Sequence, residues 1–406
     1  MNKEILMQNG RKPEILAPSG DLEAVRTAVR FGADAIYLGG PFMQLRSSSA
    51  GFDEKKLIEA SELIHSAGRR MYVTVNSFAN NSEIPKLGDY AKFLLDAGAD
   101  AAIVSDIGAA AEIKEKAPNL AVHISTQANC MNYRAAKVYY DLGASRIVLA
   151  RELSLDRIRE IRENTPKDLE LEGFIHGAMC MAYSGRCMLS AYLTGRSGNR
   201  GQCAQTCRWN YYLMEEKRPG EFFKVEEDEN GMAILSSKEM CCVDILQQMA
   251  DAGICSFKIE GRMRTPFYIG TVVNAYRMLV DGKISADQAR AELETTSHRP
   301  FCTGFYLGDP EEIAPDVSGY VRDYLFVATA LSDSEDGKLK IITRNPFSCG
   351  DEIEVLSPGK PAQKFTVEFI EDEEGNAMQR SAVPMRVLTI NAPDGILKDD
   401  ILRRHN

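Results

Sequence analysis

The stretch FGADAIYLGG, residues 31–40, carries the pattern that decides the fold. It follows a segment with apolar residues at helical spacing, places Gly32 where a helix needs a left-handed residue to stop, and continues into a short apolar run. The pattern recurs in AGADAAIVSD (97–106), LGASRIVLAR (142–151) and AGICSFKIEG (252–261). Each copy predicts the end of one helix and the buried strand that follows it.

Four further apolar runs lie between these copies: EILAP (14–18), RMYVTVN (70–76), LAVHIST (120–126) and LELEGFIHG (169–177). Helix-like segments separate the runs, and some, such as DLEAVRTAVRF (21–31), begin with an aspartate suited to capping. Eight strand and helix units predict an α/β fold, a TIM-like (β/α)8 barrel. A doubly wound parallel sheet is the alternative, because a count of strands does not prove closure.

The alternation of predicted strands and helices ends after Tyr306. From there on, strand-like runs are joined by turn sequences such as DG, EGN and PDG. The runs are YLFVATALS, GKLKIITRN, DEIEVLS, KFTVEFIED, MRVLTIN and DILRRH. We therefore predict two domains. The first, residues 1–310, is a catalytic barrel that includes a cysteine-rich insert after strand 7, at residues 177–240. The second, residues 311–406, is a small all-β barrel.

Composition narrows the class of protein. The 406 residues are 44% hydrophobic and 26% charged, as in a soluble globular protein. The opening residues MNKEILMQNGRKPEIL lack the pattern of a secretory signal, and no apolar run approaches the ~18 residues needed to span a bilayer. We expect a cytoplasmic protein with no membrane partner, whose ten cysteines serve metal binding, redox chemistry or packing rather than disulfides.

Polar side chains of both signs follow the predicted strands. In a barrel these positions lie together at the carboxyl-terminal end of the strands, here called the mouth, where the active sites of barrel enzymes are found. They are Ser19, Gly39, Asn76, Asp106, Gln127, Asn129, Arg151, Glu152, His176, Lys258, Glu260 and Arg262. Such a mouth suits a small anionic or hydroxylated ligand, although strand ends are also polar simply because they meet water.

The insert begins with HGAMCMAYSGRCMLSAYLTGRSGNRGQCAQTCRW, residues 176–209, which holds four cysteines and four arginines and no acidic residue in a chain of net charge −10. Its thiols are Cys180, Cys187, Cys203 and Cys207, and Cys241 and Cys242 follow in the next predicted helical segment. Three interpretations compete: thiolates that bind an iron-sulfur or zinc centre, a cysteine nucleophile paired with His176, and small buried side chains.

The arginines of the insert have two candidate tasks. Arg186, Arg196, Arg200 and Arg208 could offset the negative charge of a thiolate-bound cluster, or contact RNA phosphates beside a base that stacks on Trp209. The alternative is that these arginines are solvated loop residues with neither task.

In the segment KIEGR, alternating charges end the last predicted strand. An acidic small molecule could sit between Lys258 and Arg262, with Glu260 fixing one of them by an ion pair. A purely structural ion-pair network is the alternative.

Four stretches resemble the collagenase-like peptidase family, the "unassigned" peptidase family thirty-two. They are residues 14–40, 172–209, 236–246 and 256–277, and the central HGAMCxxYSGRCxxS is the most specific of them. Branches of this family hydroxylate RNA or ubiquinone. The chain length and the small C-terminal β domain make this sequence similar to the tRNA-hydroxylating branch, which implies prephenate-dependent 5-hydroxylation of the wobble uridine and tRNA as a partner.

The resemblance also implies a 4Fe-4S cluster on Cys180, Cys187, Cys203 and Cys241. Cys207 could replace Cys203, and Cys242 could replace Cys241, because the thiol is doubled in both places. By position, we expect Arg151, Lys258 and Arg262 to hold the carboxylates of prephenate and His176 to do acid-base or orienting work. RNA contacts are expected from Arg186, Arg196, Arg200 and Trp209, and the tRNA-hydroxylating role leaves room for a protein partner.

Two other functions remain open at this point. The family name favours a cysteine- or metal-dependent peptidase, although the sequence holds no H-E-x-x-H motif and no Ser-His-Asp pattern. A non-catalytic RNA-binding scaffold with a structural metal accounts for the basic insert and the β domain but leaves the polar barrel mouth unused.

Overall fold

The computed structural model describes residues 3–7, 9–45, 51–179, 185, 187, 189–206, 213–214, 222–223, 238–308 and 320–406. For residues 199, 213–214 and 222–223 only the backbone is described. Cys180, Arg186, Cys207, Arg208 and Trp209 lie outside the described residues.

The first part of the chain alternates strands and helices. Its strands are β1 (Glu14–Pro18), β2 (Ala35–Gly39), β3 (Arg70–Val75), β4 (Ala101–Val104), β5 (Ala121–Ile124), β6 (Arg146–Val148), β7 (Glu170–Ala178), β8 (Leu213–Met214), β9 (Phe222–Phe223), β10 (Glu239–Cys241), β11 (Ser256–Ile259) and β12 (Phe301–Cys302). Its helices are α1 (Leu22–Arg30), α2 (Glu54–Ser66), α3 (Ile84–Asp96), α4 (Ile107–Lys116), α5 (Tyr133–Asp141), α6 (Leu155–Glu163), α7 (Leu189–Thr194), α8 (Leu246–Asp251), α9 (Pro266–Val280) and α10 (Ala286–Leu293).

A closed parallel barrel is formed by β1 to β7 and β11, which confirms the predicted (β/α)8 fold over the doubly wound alternative. Adjacent strands pair in chain order, and β11 closes the ring by pairing with both β1 and β7. Outside the ring, β10 pairs antiparallel with the end of β7, and β12 pairs with β10. The eight barrel strands coincide with the eight runs predicted from the sequence.

The repeated glycines end helices as predicted. Gly32, Gly98, Gly143 and Gly253 have φ angles of 98°, 85°, 91° and 97°, a left-handed conformation that a residue with a Cβ adopts only under strain. At the other ends of the helices, side chains such as Asp21 accept the backbone N–H of the third following residue. In all four copies of the motif, the glycine therefore ends a helix just before a barrel strand begins.

The amino-terminal half of the barrel interior carries charges. Arg146, at the start of β6, is only 1% exposed. Its guanidinium lies 2.7 Å from Glu14 Oε1, 2.6 Å from Glu170 Oε2 and 3.0 Å from Glu172 Oε2. Burial by itself raises the pKa of Glu14, but Arg146, Arg70 and the Ser256 hydroxyl together outweigh burial and hold that pKa below its usual value. Three strands are therefore joined by one cation.

The C-terminal domain is an antiparallel all-β half-barrel. Its strands are β13 (Tyr324–Ala330), β14 (Lys338–Thr343), β15 (Phe347–Ser348), β16 (Glu352–Leu356), β17 (Gln363–Thr366), β18 (Ile370–Glu371), β19 (Ala377–Met378), β20 (Arg380–Ser381), β21 (Val387–Asn391) and β22 (Ile401–His405). The sheet order is β17-β16-β22-β13-β14-β21-β18-β19, and β15 pairs with β20 in a separate two-stranded sheet. The predicted small all-β domain is thus confirmed, in the form of a half-barrel.

The two domains share core residues and ion pairs. Phe326 and Ile401 of the half-barrel belong to the same buried cluster as the barrel helices. Arg403, 2% exposed, reaches across to Glu292 in α10 at 2.6 Å. None of the described helices is long and apolar enough to cross a membrane.

Replacing Arg146 by Met should lower the free energy of unfolding by about 3–5 kcal/mol, because Glu14 and Glu172 would keep their burial and lose their shared cation. Urea denaturation measures the change. The control is Arg159→Met, whose exposed pair with Asp156 is worth at most about 1 kcal/mol. Adding Glu14→Gln to Arg146→Met should recover part of the loss, and equal losses in the Arg146 and Arg159 variants would contradict this account.

Candidate active site

The carboxyl ends of the barrel strands bring the predicted site residues to one mouth. His176 lies in β7 and Lys258 in β11, while Glu260 and Arg262 follow β11 and Arg151 follows β6. They come together because all eight strands are parallel and therefore end on the same side. Their contacts differ from the sequence-based expectations in several respects.

His176 is enclosed at this mouth. It is 1% exposed, and its ring is surrounded by Tyr268, Tyr276 and Phe301 at centroid distances of 5.9, 5.6 and 5.6 Å. Its Nδ1 lies 3.3 Å from the Tyr276 hydroxyl, and its Nε2 is buried with no hydrogen-bond partner among the described residues. Burial, with the nearby charge of Arg264, lowers the pKa of His176 to about 3. At neutral pH the ring is uncharged, which suits orienting work better than proton donation.

Cys241 lies directly across from His176, because β10 runs antiparallel to the end of β7 with these two residues in register. The Tyr276 hydroxyl lies 3.8 Å from Cys241 Sγ and accepts the backbone N–H of Cys242 at 3.2 Å. Both cysteines are buried, and burial raises the pKa of each thiol. The sequence analysis expected Cys241 in a helical segment and did not identify Tyr276. The antiparallel pairing of β10 with β7, rather than a helix, therefore sets how Cys241 faces His176.

The other described cysteines of the insert are less enclosed. Cys187 is half-buried and Cys203 is exposed. Within the described residues, no three His, Cys, Asp or Glu side chains stand close enough to hold a metal ion. Cys180, the fourth predicted ligand, lies outside the described residues. The four-cysteine set thus stays a prediction.

Arg200 anchors the insert to the barrel rim. Its Nη2 lies 3.0 Å and 3.2 Å from the two carboxylate oxygens of Glu83, and its Nη1 donates to the backbone carbonyl of Phe78. Arg196, by contrast, is exposed. A guanidinium already satisfied by a bidentate carboxylate is a poor candidate for a phosphate contact, so Arg196 is the better placed of the two for RNA.

Lys258 and Arg262 are buried and engaged with protein groups. The Lys258 ammonium lies 2.8 Å from Glu172 Oε1 and 4.3 Å from the centroid of the Tyr37 ring. Arg262 donates to Gln44 Oε1 at 3.0 Å and to Thr74 Oγ1 at 3.1 Å. Both side chains therefore stabilise the mouth through contacts inside the protein.

Arg151 is the more accessible cation. It lies 3.7 Å from the centroid of the Phe174 ring, donates to the Ala178 carbonyl at 2.7 Å and pairs with Glu260 at 3.3 Å. Glu260 was expected to fix Lys258 or Arg262. The structure shows an ion pair between Glu260 and Arg151, a partner that the sequence analysis did not name, and the expected pair with Lys258 or Arg262 stays a prediction.

The insert also touches the rim at Gly185. This glycine has a φ of 72°, and a Cβ placed on it would lie 2.0 Å from the Gln127 carbonyl oxygen, just after β5. Only a residue without a side chain permits this approach. Together with the Arg200 contact, it fixes the insert against the loops that follow β3 and β5.

Comparison with known proteins places both domains in one family. The sequence profile of Peptidase family U32 matches residues 20–315, and that of the Peptidase family U32 C-terminal domain matches residues 322–403. The chain is 36% identical to tRNA hydroxylation protein P1 of Bacillus subtilis over 404 residues, covering 97% of this chain and 95% of that protein.

Two further relatives carry different names. The 23S rRNA 5-hydroxycytidine C2501 synthase of Escherichia coli is 37% identical over 287 residues, covering 70% of this chain and 42% of that protein. A collagenase of Porphyromonas gingivalis is 31% identical over 407 residues, covering 92% and 94%.

Gly185→Ala should loosen the insert from the barrel rim, since its methyl group would collide with the Gln127 carbonyl. Hydrogen exchange followed by mass spectrometry should show faster exchange at residues 125–130 and 198–206. The matched control is Gly195→Ala, which has a similar φ of 69° but open space around the Cβ, so it carries only the backbone strain of about 1–2 kcal/mol. Equal exchange in the two variants would show that the Gly185 contact does not hold the insert.

Proposed function

The chain belongs to peptidase family U32, and from this membership we propose that it hydroxylates RNA, acting in the cytoplasm on the wobble uridine of tRNA at position 5 with prephenate as co-substrate. The observation that carries the proposal is the end-to-end match to a protein named for tRNA hydroxylation, which includes both domains. The relative named as an rRNA 5-hydroxycytidine synthase supports hydroxylation at the same ring position of a pyrimidine.

We further propose a 4Fe-4S cluster held by Cys180, Cys187, Cys203 and Cys241. The donor chemistry supports it, because four sulfur ligands and no carboxylate suit iron-sulfur better than a hard cation. Such a cluster would supply one-electron transfer at the barrel mouth. What the described residues contribute is position: the β7-β10 pairing holds Cys241 beside His176, and Arg200 ties the Cys203 segment to the rim.

Arg151 is our first candidate for a carboxylate of prephenate. Its side chain reaches solvent, and its 3.3 Å pair with Glu260 is long enough for a substrate carboxylate to displace with a closer, bidentate contact. Lys258 and Arg262, buried deeper in the barrel, would add positive electrostatic potential that attracts the carboxylates of prephenate, while they keep their present partners. The enclosed His176 would orient neighbouring side chains at the mouth rather than contact the substrate directly.

Proteolysis is the competing function, because one relative is named a collagenase. A cysteine peptidase needs an activated thiolate beside a histidine that exchanges its proton. Here the Tyr276 hydroxyl contacts both His176 Nδ1 and Cys241 Sγ, and His176 Nε2 has no hydrogen-bond partner among the described residues. This arrangement lacks the direct thiol–imidazole hydrogen bond through which a histidine activates a cysteine nucleophile, which disfavours attack on a peptide.

Expression of this chain in a bacterium that lacks its own tRNA hydroxylation genes tests the proposed reaction. Mass spectrometry of digested tRNA should show 5-hydroxyuridine derivatives with the wild-type chain and none with Cys241→Ser. In a host unable to make prephenate the signal should fall to background. RNA that copurifies with a wild-type chain and stays unmodified would favour the scaffold, and cleavage of collagen peptides without tRNA modification would favour the peptidase.

Iron and sulfide analysis after anaerobic purification tests the cluster. Single replacements of Cys180, Cys187, Cys203 and Cys241 by Ser should each remove most of the iron, since all four ligands are needed. Cys349→Ser, in the half-barrel, is the matched control and should keep it. Loss of iron in Cys207→Ser or Cys242→Ser instead would reassign a ligand, and a colourless wild-type protein with stoichiometric zinc would contradict the cluster.

A further inference from the structure

An unusual apolar face is exposed on α7, within the insert. Leu189, Tyr192 and Leu193 are 36%, 86% and 43% exposed, and their i, i+3, i+4 spacing puts them on one side of the helix. Tyr192 is the most exposed large apolar side chain in the described part of the chain. Isolated exposed apolar residues are common, but three on one face mark a contact surface.

The opposite side of α7 is fixed. Ser190 is buried, and its hydroxyl accepts the backbone N–H of Ala204 at 2.9 Å and donates to the Arg196 carbonyl at 2.6 Å. These bonds join the helix to the segment that carries Cys203. Arg200, through Glu83, joins that segment to the barrel rim. Tyr192 is therefore presented outward by a braced helix at the mouth of the barrel.

The charge around this face indicates what binds to it. Residues 176–209 contain four arginines and no acidic residue, in a chain whose net charge is −10. Arg196 is exposed, lies four residues after Tyr192 and is the second residue after the end of α7. An exposed aromatic ring four residues before an exposed arginine, in a segment without acidic residues, matches the chemistry of single-stranded RNA. Unpaired RNA bases stack on aromatic rings, and RNA phosphates bind guanidinium groups.

We propose that the α7 face, defined as Leu189, Tyr192 and Leu193 with Arg196, binds an unpaired nucleotide of the RNA substrate. Tyr192 stacks on the base, the two leucines flank it, and Arg196 contacts the adjoining phosphate. The inference rests on the proposed function, because it assigns the RNA contact of that same site. It also moves the stacking role from Trp209, the sequence-based candidate, to a residue of the described helix.

The test measures binding of an anticodon stem-loop RNA with an unmodified wobble uridine to the iron-loaded protein by fluorescence anisotropy. Tyr192→Ala should raise the Kd roughly 5- to 150-fold, the range expected for loss of one stacked base. Tyr192→Phe should stay within about twofold of the wild type, since the ring remains. Val138→Ala, which truncates a 53%-exposed side chain on α5, is the control and should leave the Kd unchanged.

Salt dependence separates stacking from charge. Arg196→Gln should reduce the slope of log K against log salt concentration by about 1, while Tyr192→Ala should leave that slope unchanged. Iron content, measured on every variant, should equal that of the wild type, which keeps the cluster out of the comparison.

The outcomes distinguish this inference from the proposed function. A wild-type protein that does not bind the stem-loop would overturn both. A wild-type protein that binds while Tyr192→Ala binds equally well would overturn only the stacking role. A Tyr192→Ala variant that loses self-association but keeps its RNA affinity would assign the α7 face to a second copy of the chain and would also overturn the inference.

Discussion

The buried guanidinium of Arg146 is the interaction on which the barrel depends. It joins Glu14 of β1, Glu170 and Glu172 of β7 and its own strand β6 at the amino-terminal end of the barrel. Removing such charges from water costs several kcal/mol per ion, and only mutual pairing offsets that cost. The observed strand register brings each of these carboxylates to a cation, so the ion pairs favour this arrangement even where they add little net stability.

The same network reaches toward the mouth. Glu172 pairs with Arg146 on one side and with Lys258 on the other, so the ammonium that the sequence analysis assigned to a substrate carboxylate is held by the barrel's own carboxylate. This arrangement leaves Arg151, which is stacked on Phe174 and only loosely paired, as the cation most able to change partners. The paired charges of the interior are thus fixed, while Arg151 at the rim can exchange its protein partner for a ligand.

The sequence was sufficient to predict the barrel strands but not the contacts between their side chains. Four copies of a helix end, a glycine and an apolar run are local features, and local features predict local structure, so the barrel strands matched the prediction. The contacts of Arg146 with Glu14, and of Cys241 with Tyr276, join residues far apart in the chain. No local pattern encodes such pairs. The Glu83 partner of Arg200 and the Arg151 partner of Glu260 were not predicted for the same reason: each partner lies on a different loop.

The proposed RNA contact of this acidic chain would have to be confined to one region, and the insert has the charge to do so. At physiological salt, charges separated by more than about 8 Å are largely screened, so the acidic remainder of the chain does not cancel the attraction of the arginine-only segment at contact. The same acidic surface repels phosphates that approach any other face closely. Because few arginines are available, affinity must come from stacking as well as from charge, and Arg200 is already committed to Glu83. If the chain binds RNA as proposed, the arginine-containing segment 176–209 would contribute more to the orientation of the RNA than to its affinity.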